Sequence, residues 1–562
     1  MRTNSSLAIA ALALGLLATG CSKKLAQPKA EYFNLNPSPL EASASQVPGT
    51  VVGKIPAKYF QRNGQLVITP VLSFDGKEVK APASIFQGEK VRGNNPVVNY
   101  EYGGTINIPL LFDYQPGMEQ ADVVLQFQGR NGSKTYALNP VTIGHGINTT
   151  ALLATAEGIN PSIAPDKFQK VITEKYDADI MFLINQANIR DNQLRSNDMR
   201  KFNADVKAAS NDSTRRIEEI NISSYASPEG GVELNERLAA NREANTSAYL
   251  KNQLKRDKVT DFGELTANFT AQDWEGFQRL VAESNIQDKD LVLSVLSMYK
   301  DPEQREREIR NLSSVFDQLA DEILPQLRYS RITATVSVIG KSDEEIANLY
   351  ATDPTKLSAD EILYYATLTD DNAKRRLIYD TAARLYPNDY RAYNNLGAIQ
   401  LAEGDLRAAR ANFAEANRID RNNPEAKVNE AIIKMINGDL NNANSLLGAG
   451  AGADMLPDAL GTYNLMKGNN AAAATAFGDV KSNNAAVAQI LTKDYSKAKQ
   501  TLSGITAPDA TTYYLMAIVG ARTNNDSMVR TNLRQAVRLN PELANRARND
   551  IEFVNYNLTS IL

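Results

Sequence analysis

Ala392-Tyr393-Asn394-Asn395-Leu396-Gly397, followed by Gly404, Ala409, Phe413 and Ala416, decides how this chain is read. The spacing predicts two helices joined at a glycine, with small residues where the helices touch. The arrangement recurs. Gly404 and Gly438 lie 34 residues apart, and so do Ala409 and Ala443, each followed four residues later by an apolar residue, Phe413 or Leu447. Tyr379, Ala382 and Pro387 keep the spacing upstream, and Leu460, Gly461, Gly468, Ala473 and Phe477 keep it downstream. Ala536-Val537-Arg538-Leu539-Asn540-Pro541 closes the last clear copy. A fixed period near 34 residues is the mark of a helix-turn-helix solenoid, in which stacking buries faces that one repeat cannot bury alone.

These residues resemble tetratricopeptide repeats, and the resemblance covers roughly 200 residues. It implies an all-α solenoid over residues 342–562 with a groove that binds a protein partner. The copies around Gly448-Ala449-Gly450-Ala451-Gly452 and Lys497-Ala498 are shortened, which predicts irregular curvature.

Upstream of the repeats, residues 165–340 read as a mixed α/β domain. Ile180–Ile184, Arg216–Ser224 and Ile332–Val338 are expected strands. Asn197–Ala209 is an expected helix with Met199, Phe202, Val206 and Ala209 on one side. A second helix is expected over Val232–Leu250, with Leu234, Leu238 and Tyr249 inside. Ser224-Tyr225-Ala226-Ser227-Pro228-Glu229-Gly230 precedes that helix, in which Asn235, Leu238 and Arg242 follow the pattern Asn-x-x-Leu-x-x-x-Arg. With Leu327-Arg328-Tyr329-Ser330-Arg331-Ile332, this resembles the peptidoglycan-associating domain of the OmpA family. The chain is longer than that family over about residues 255–325, which implies an insertion containing Trp274. In the family an Asp and an Arg clamp the zwitterionic end of a stem peptide, the Arg fork on the carboxylate and the Asp on the ammonium. Arg242 stands at the Arg position and Ser227 at the Asp position, with Glu229 two residues on. Ser227, Glu229, Asn235 and Arg242 are therefore the candidate peptidoglycan-binding residues.

Residues 48–153 read as an antiparallel β-sandwich. Gln65–Thr69, Val71–Phe74, Thr105–Phe112, Asp122–Phe127 and Lys134–Leu138 alternate, punctuated by Asp75-Gly76 and Asn131-Gly132. A membrane barrel also uses alternating strands, but these runs are few and broken by Pro70, Pro96 and Pro109.

At the N-terminus, Met1-Arg2-Thr3-Asn4 is basic, Leu7–Ala18 is apolar, and Thr19-Gly20 leads to Cys21. That order reads as a secretory signal over residues 1–20, too short to stay as a spanning helix. Ala18-Thr19-Gly20-Cys21 resembles a lipobox, although Leu17 stands four residues before the cysteine where the motif usually has Leu at three. The resemblance implies cleavage before a lipidated Cys21, the chain's single cysteine. More than one acyl chain gives a firm anchor. Residues 21–47, rich in Lys, Pro, Ser and Ala, read as a flexible tether.

Composition narrows the function. A formal net charge of -4 without a basic block argues against a nucleic-acid partner. The one histidine, His145, excludes most triad and zinc chemistry. In Gly144-His145-Gly146 it reads as a surface turn residue. No acidic pair stands out for a carboxylate hydrolase, and no cofactor is implied. The expected protein is a non-enzymatic lipoprotein of the Gram-negative outer membrane, on its periplasmic face. It would meet peptidoglycan through the OmpA-like domain and hold proteins through the repeats. A surface lipoprotein serving a secretion, adhesin or pilus system and a carboxylate-dependent wall hydrolase are the alternatives.

Overall fold

The computed structural model describes residues 24–286 and 288–561, so Cys21 and the signal sequence lie outside the described residues. Two compact units form. Among the described residues, one contains residues 24–165 with 369–561, and the other is Asp166–Leu368.

The first unit begins with a β-sandwich. Its strands are β1 (Phe33–Asn36), β2 (Leu40–Glu41), β3 (Gln46–Ile55), β4 (Gly64–Phe74), β5 (Lys77–Lys80) and β6 (Ser84–Gly88). They continue with β7 (Val97–Val98), β8 (Gly104–Asp113), β9 (Asp122–Asn131), β10 (Lys134–His145) and β11 (Ile147–Asn148). One sheet has the order β1-β3-β8 and the other β10-β9-β4-β6-β7, with β5 on β4 and a small β11-β2 pair beside them. Period-2 burial makes the two layers. In β8, Ile106, Ile108, Leu110 and Phe112 point inward, and Leu111 between them is half exposed. They share one core with Leu66, Ile68, Val123, Leu125 and Phe127 of the facing sheet.

Two sequence expectations need correction here. The runs at Gln65–Thr69 and Val71–Phe74 are one strand. Pro70 sits where the outer partner of β4 changes from β6 (Gln65–Ile68) to β5 (Val71–Phe74), a gap in the ladder that needs no N–H. Pro109 lies in β8, at the edge of its sheet, where a lost donor costs least. The tether expected over residues 21–47 is also corrected. From Leu25 on, the described chain is fixed: the Leu25 N–H donates to the Tyr136 hydroxyl at 2.9 Å, and Phe33, Leu35 and Leu40 are buried. β1 is four residues long and followed by Pro37 and Pro39, too short a run for its alternation to stand out.

The second unit is built on a sheet of order β12-β15-β13-β14, from β12 (Val171–Met181), β13 (Arg215–Tyr225), β14 (Glu264–Thr270) and β15 (Tyr329–Ile339). β13 and β14 are parallel and the other pairings antiparallel. The strand expected at Ile180–Ile184 ends at Met181, and Leu183 and Ile184 are exposed. Its upstream part carries no strand pattern because Glu174, Lys175, Asp177 and Asp179 break the apolar alternation on this edge strand. After α1 (Asp191–Leu194), α2 (Asn197–Ser210) and α3 (Val232–Asp257) pack on the sheet through Phe202, Val206, Leu250 and Leu254. The face of α3 differs from the expected one. Asn235, Ala239, Arg242, Thr246 and Leu250 are buried, whereas Leu234 is exposed. Polar anchors, not leucines, set its phase.

β14 belongs to the sheet, and the stretch between it and β15 is a helical cluster of α4 (Trp274–Glu283), α5 (Lys289–Met298), α6 (Pro302–Asn311) and α7 (Ser313–Gln318). It has its own core around Phe277, Val281, Val292 and Leu319. α8 (Asp343–Thr352) and α9 (Ala359–Thr367) follow β15 and belong to this unit, which corrects the boundary expected near residue 342. Polar and ring contacts hold them: Lys341 pairs with Glu361 at 2.8 Å, Lys170 with Asp343 at 2.9 Å, and the Phe168 and Tyr364 rings are 4.6 Å apart.

The C-terminal part of the first unit is a run of antiparallel helix pairs. After α10 (Asn372–Leu385) come α11 (Tyr390–Ala402) with α12 (Leu406–Ile419), and α13 (Pro424–Ile436) with α14 (Leu440–Ala449). Next are α15 (Leu456–Met466) with α16 (Asn470–Phe477), α17 (Asn483–Leu491) with α18 (Tyr495–Ser503), and α19 (Ala510–Arg522) with α20 (Asp526–Leu539). α21 (Leu543–Asn549) ends the series. Each pair turns through one residue of positive φ: Gly404, Gly438, Gly468, Lys493 and Asn524. Asp or Asn follows each time, and Asp405, Asp439, Asp494 and Asn525 cap the next helix with their side chains. Small residues allow the helices to touch: a Cβ on Gly397 or Gly461 would lie 2.7 or 2.5 Å from the ring of Phe413 or Phe477.

Candidate functional site

The structure brings Ser227, Glu229, Asn235 and Arg242 together where β13 turns into α3, and there they serve the turn itself. Asn235 Nδ2 donates to the carbonyls of Ser227 at 2.9 Å and Gly230 at 2.8 Å. Arg242 is 1% exposed. Its Nη1 donates to Tyr225 O at 2.7 Å, its Nε to Gln186 O at 3.0 Å and its Nη2 to Leu183 O at 3.3 Å. The guanidinium also lies 5.0 Å from the centre of the Phe182 ring. Burial, and then repulsion from Arg328, lower its pKa to about 10, which leaves it a cation at neutral pH. In this arrangement Arg242 staples the loop after β12 to the end of β13, and its donors face the chain's own carbonyls. Glu229 is engaged as well. Its carboxylate takes Arg328 in a two-pronged pair at 3.0 and 2.9 Å, and Arg328 Nε reaches Ser227 Oγ at 3.3 Å. In the sequence Arg328 stood only as part of an Arg-rich strand start; its partner is 99 residues away.

A second site lies along the first helices of three repeats, α11, α13 and α17. Residues 155–165, between the sandwich and β12, cross the inner face of the repeats, with a single 3-10 turn at Ala156–Gly158 and irregular, non-helical chain from Ile159 on. Side-chain amides clamp their backbone. Asn429 Oδ1 accepts from Ser162 N–H at 2.7 Å, and Asn429 Nδ2 donates to Ser162 O at 2.8 Å, with Asn394 Nδ2 on the same oxygen at 3.1 Å. Asn395 repeats the two-point clamp on Ala164, at 2.7 and 3.0 Å. Asn484 holds Thr155 at 3.3 and 2.8 Å, and Arg391 Nη1 donates to Pro165 O at 3.3 Å. The four asparagines are between 0 and 2% exposed. A neutral bond of this kind contributes about 1 kcal/mol net, but a buried amide without a partner costs more, so the clamps hold only with polypeptide in place. Ala156, Ile159, Ser162 and Ala164 are buried, while Asn160, Ile163 and Pro165 face outward. This site was not among the sequence candidates. Its signal was present: Asn395 and Asn429, which make the same two-point clamp, stand 34 residues apart at matching repeat positions.

His145 ends β10, half exposed and 2.9 Å from Asp122 Oδ1. Among the described residues no group of three or more His, Cys, Asp or Glu is placed to hold a metal ion. No helix among them is long and apolar enough to cross a membrane.

No protein-family model matches the chain, and no curated protein does. Solved structures match part of the chain. The APC/C hetero-tetramer Cut9-Hcn1 matches at 17% identity and a TM-score of 0.29, covering 39% of this chain and 45% of that one. The match thus spans less than half of that chain. A tetratricopeptide repeat protein from Parabacteroides merdae matches at 10% identity and a TM-score of 0.27, over 35% and 85% of the two chains. PilW, a type IV pilus biogenesis factor, matches at 12% identity and a TM-score of 0.25, over 32% and 93%. Scores this low add nothing to the assignment; the paired helices, their turn residues and their helix contacts are themselves what identify a helical-repeat fold.

Proposed function

We propose that this chain is a non-enzymatic scaffold of the bacterial cell envelope, anchored at the outer membrane through lipid on Cys21, whose repeats grip extended polypeptide. The observation that supports it best is the row of buried asparagines closing on the backbone of residues 155–165. Two-point amide clamps read main chain and tolerate varied side chains, which suits a surface that holds protein segments. The anchor rests on the basic, apolar and small-residue run that ends at Cys21.

A wall-facing role for the α/β unit rests on its resemblance to the peptidoglycan-associating domains. With Arg242 turned to carbonyls, the charged groups nearest the surface of that cluster are Arg328 and Glu229, 12 and 16% exposed. A stem peptide would have to compete with their mutual pairing.

Fractionation of cells tests the anchor. The parent protein is expected in the outer-membrane fraction and Cys21→Ala in the soluble fraction; a Cys21→Ala variant that stays with the membrane overturns the lipid anchor. Crosslinking in intact cells tests the scaffold. Proteins joined to residues of α11, α13, α15 or α17 are expected, and their absence with an efficient crosslinker counts against it.

A further inference from the structure

The inner groove is occupied by the chain itself, and that occupant is an imperfect fit. Ser162 Oγ and Glu425 Oε2 are buried without a hydrogen-bond partner, and Glu425 is 6% exposed. Glu425 stands one turn before Asn429 on α13, so the two buried residues share a face of that helix. A buried acceptor left open by the bound segment marks a contact that a better ligand would complete. The buried Ser162 and Ala164 alternate with the exposed Ile163 and Pro165. The groove therefore selects small side chains at two alternate positions and requires an N–H at each.

We propose that residues 155–165 are an internal stand-in for a partner protein's extended segment, which displaces them from the groove. This rests on the scaffold reading given above. The incoming segment would carry Ser, Ala or Gly at the two clamped positions, no proline there, and a hydroxyl, amide or ammonium donor that reaches Glu425. The stand-in is tethered at both ends, so it competes at high effective concentration and lowers the apparent affinity for any partner. Loosening it raises that affinity without touching the groove.

The test uses the full mature chain and a labelled synthetic peptide of residues 155–165, with binding read by fluorescence anisotropy. Ala164→Pro removes the N–H that Asn395 accepts. Ser162→Leu, a second and independent change, overfills the clamped position. Both alter only the segment. Either variant is expected to bind the peptide at least ten-fold more tightly than the parent, with faster amide hydrogen exchange over residues 155–165. Adding Asn429→Ala should return binding to the parent level or below. Faster exchange without tighter binding would show that the groove is a fixed cradle, and so would unchanged exchange in both variants. Binding unaffected by Asn429→Ala would place the peptide elsewhere and also overturn the proposal. Failure here, with partners still crosslinked to the repeats in cells, leaves the scaffold reading intact; loss of those crosslinks would remove the scaffold reading itself.

Discussion

Asp458 sits in α15 with 2% exposure, and its carboxylate has one hydrogen bond, from Ser482 Oγ at 2.9 Å. Burial pushes its pKa from 3.8 up to about 6, opposed by the Ser482 bond. The sign follows from proton counting. Between 3.8 and about 6 the folded chain binds more protons here than the unfolded one, so this group's contribution to stability falls as pH rises through that window. Asp458→Asn keeps the acceptor for Ser482 and removes the charge. Urea titrations should show the variant more stable than the parent at pH 7, by roughly 1–3 kcal/mol, with the advantage shrinking toward pH 4. A constant difference across that range would mean that Asp458 is not protonated on folding. The asparagines of the groove teach the same lesson at neutral charge: a buried polar side chain is informative through its partner. Asn429 looks like an ordinary helix residue until Ser162, 267 residues away, is seen in its grip.

At the scale of elements, the repeats are held together by glycine against aromatic ring. Gly461 on α15 meets Phe477 on α16, where an added Cβ would stand 2.5 Å from the ring. Gly448 on α14 has open space around the same position. Ala at the two sites should therefore act with opposite sign. Gly461→Ala is expected to lower stability by about 1–3 kcal/mol through overpacking. Gly448→Ala is expected to raise it by about 0.5–1 kcal/mol through helix propensity. Thermal unfolding of both variants against the parent checks this, and a stabilising Gly461→Ala would contradict the close approach of α15 and α16. The shortening expected in the middle copies takes a definite form. The positive-φ turn residues Gly468 and Lys493 are 25 residues apart, against 34 for Gly404 and Gly438, and Lys replaces Gly at the shorter step. α3 shows the opposite case. Its leucines gave the wrong buried face because Asn235 and Arg242, which supply donors to the turn, decide the rotation.

At the scale of the first unit, the sandwich and the repeats form one body although residues 166–368 separate them in sequence. Glu552, with a side chain 4% exposed, joins the two ends. It accepts from Asn148 Nδ2 at 2.7 Å and Thr150 Oγ1 at 2.8 Å, and pairs with Arg522 at 2.7 Å. Gln120 Nε2 adds a bond to Asn549 O at 2.7 Å. Glu552→Ala leaves the Arg522 charge and two polar groups without their acceptor, and is expected to cost about 3–5 kcal/mol. Calorimetry should then resolve separate sandwich and repeat transitions, and a single unshifted transition would show that the bonds to Glu552 do not couple them.

Local regularity was legible from residues alone. The repeat period, the glycine turns and the alternation of β8 and β9 depend on neighbours within a few positions, so Gly404, Ala409 and Ile106-Asn107-Ile108 are enough to read them. The tertiary structure decided what joins distant residues. It placed residues 24–47 in the sandwich, turned Arg242 onto carbonyls 17 to 59 residues away, and filled the groove with the chain's own segment. The physical reason is one of range. Hydrophobic periodicity reports which way a side chain faces, whereas a buried polar group is satisfied by whichever backbone the fold brings to it, and no local pattern encodes that choice.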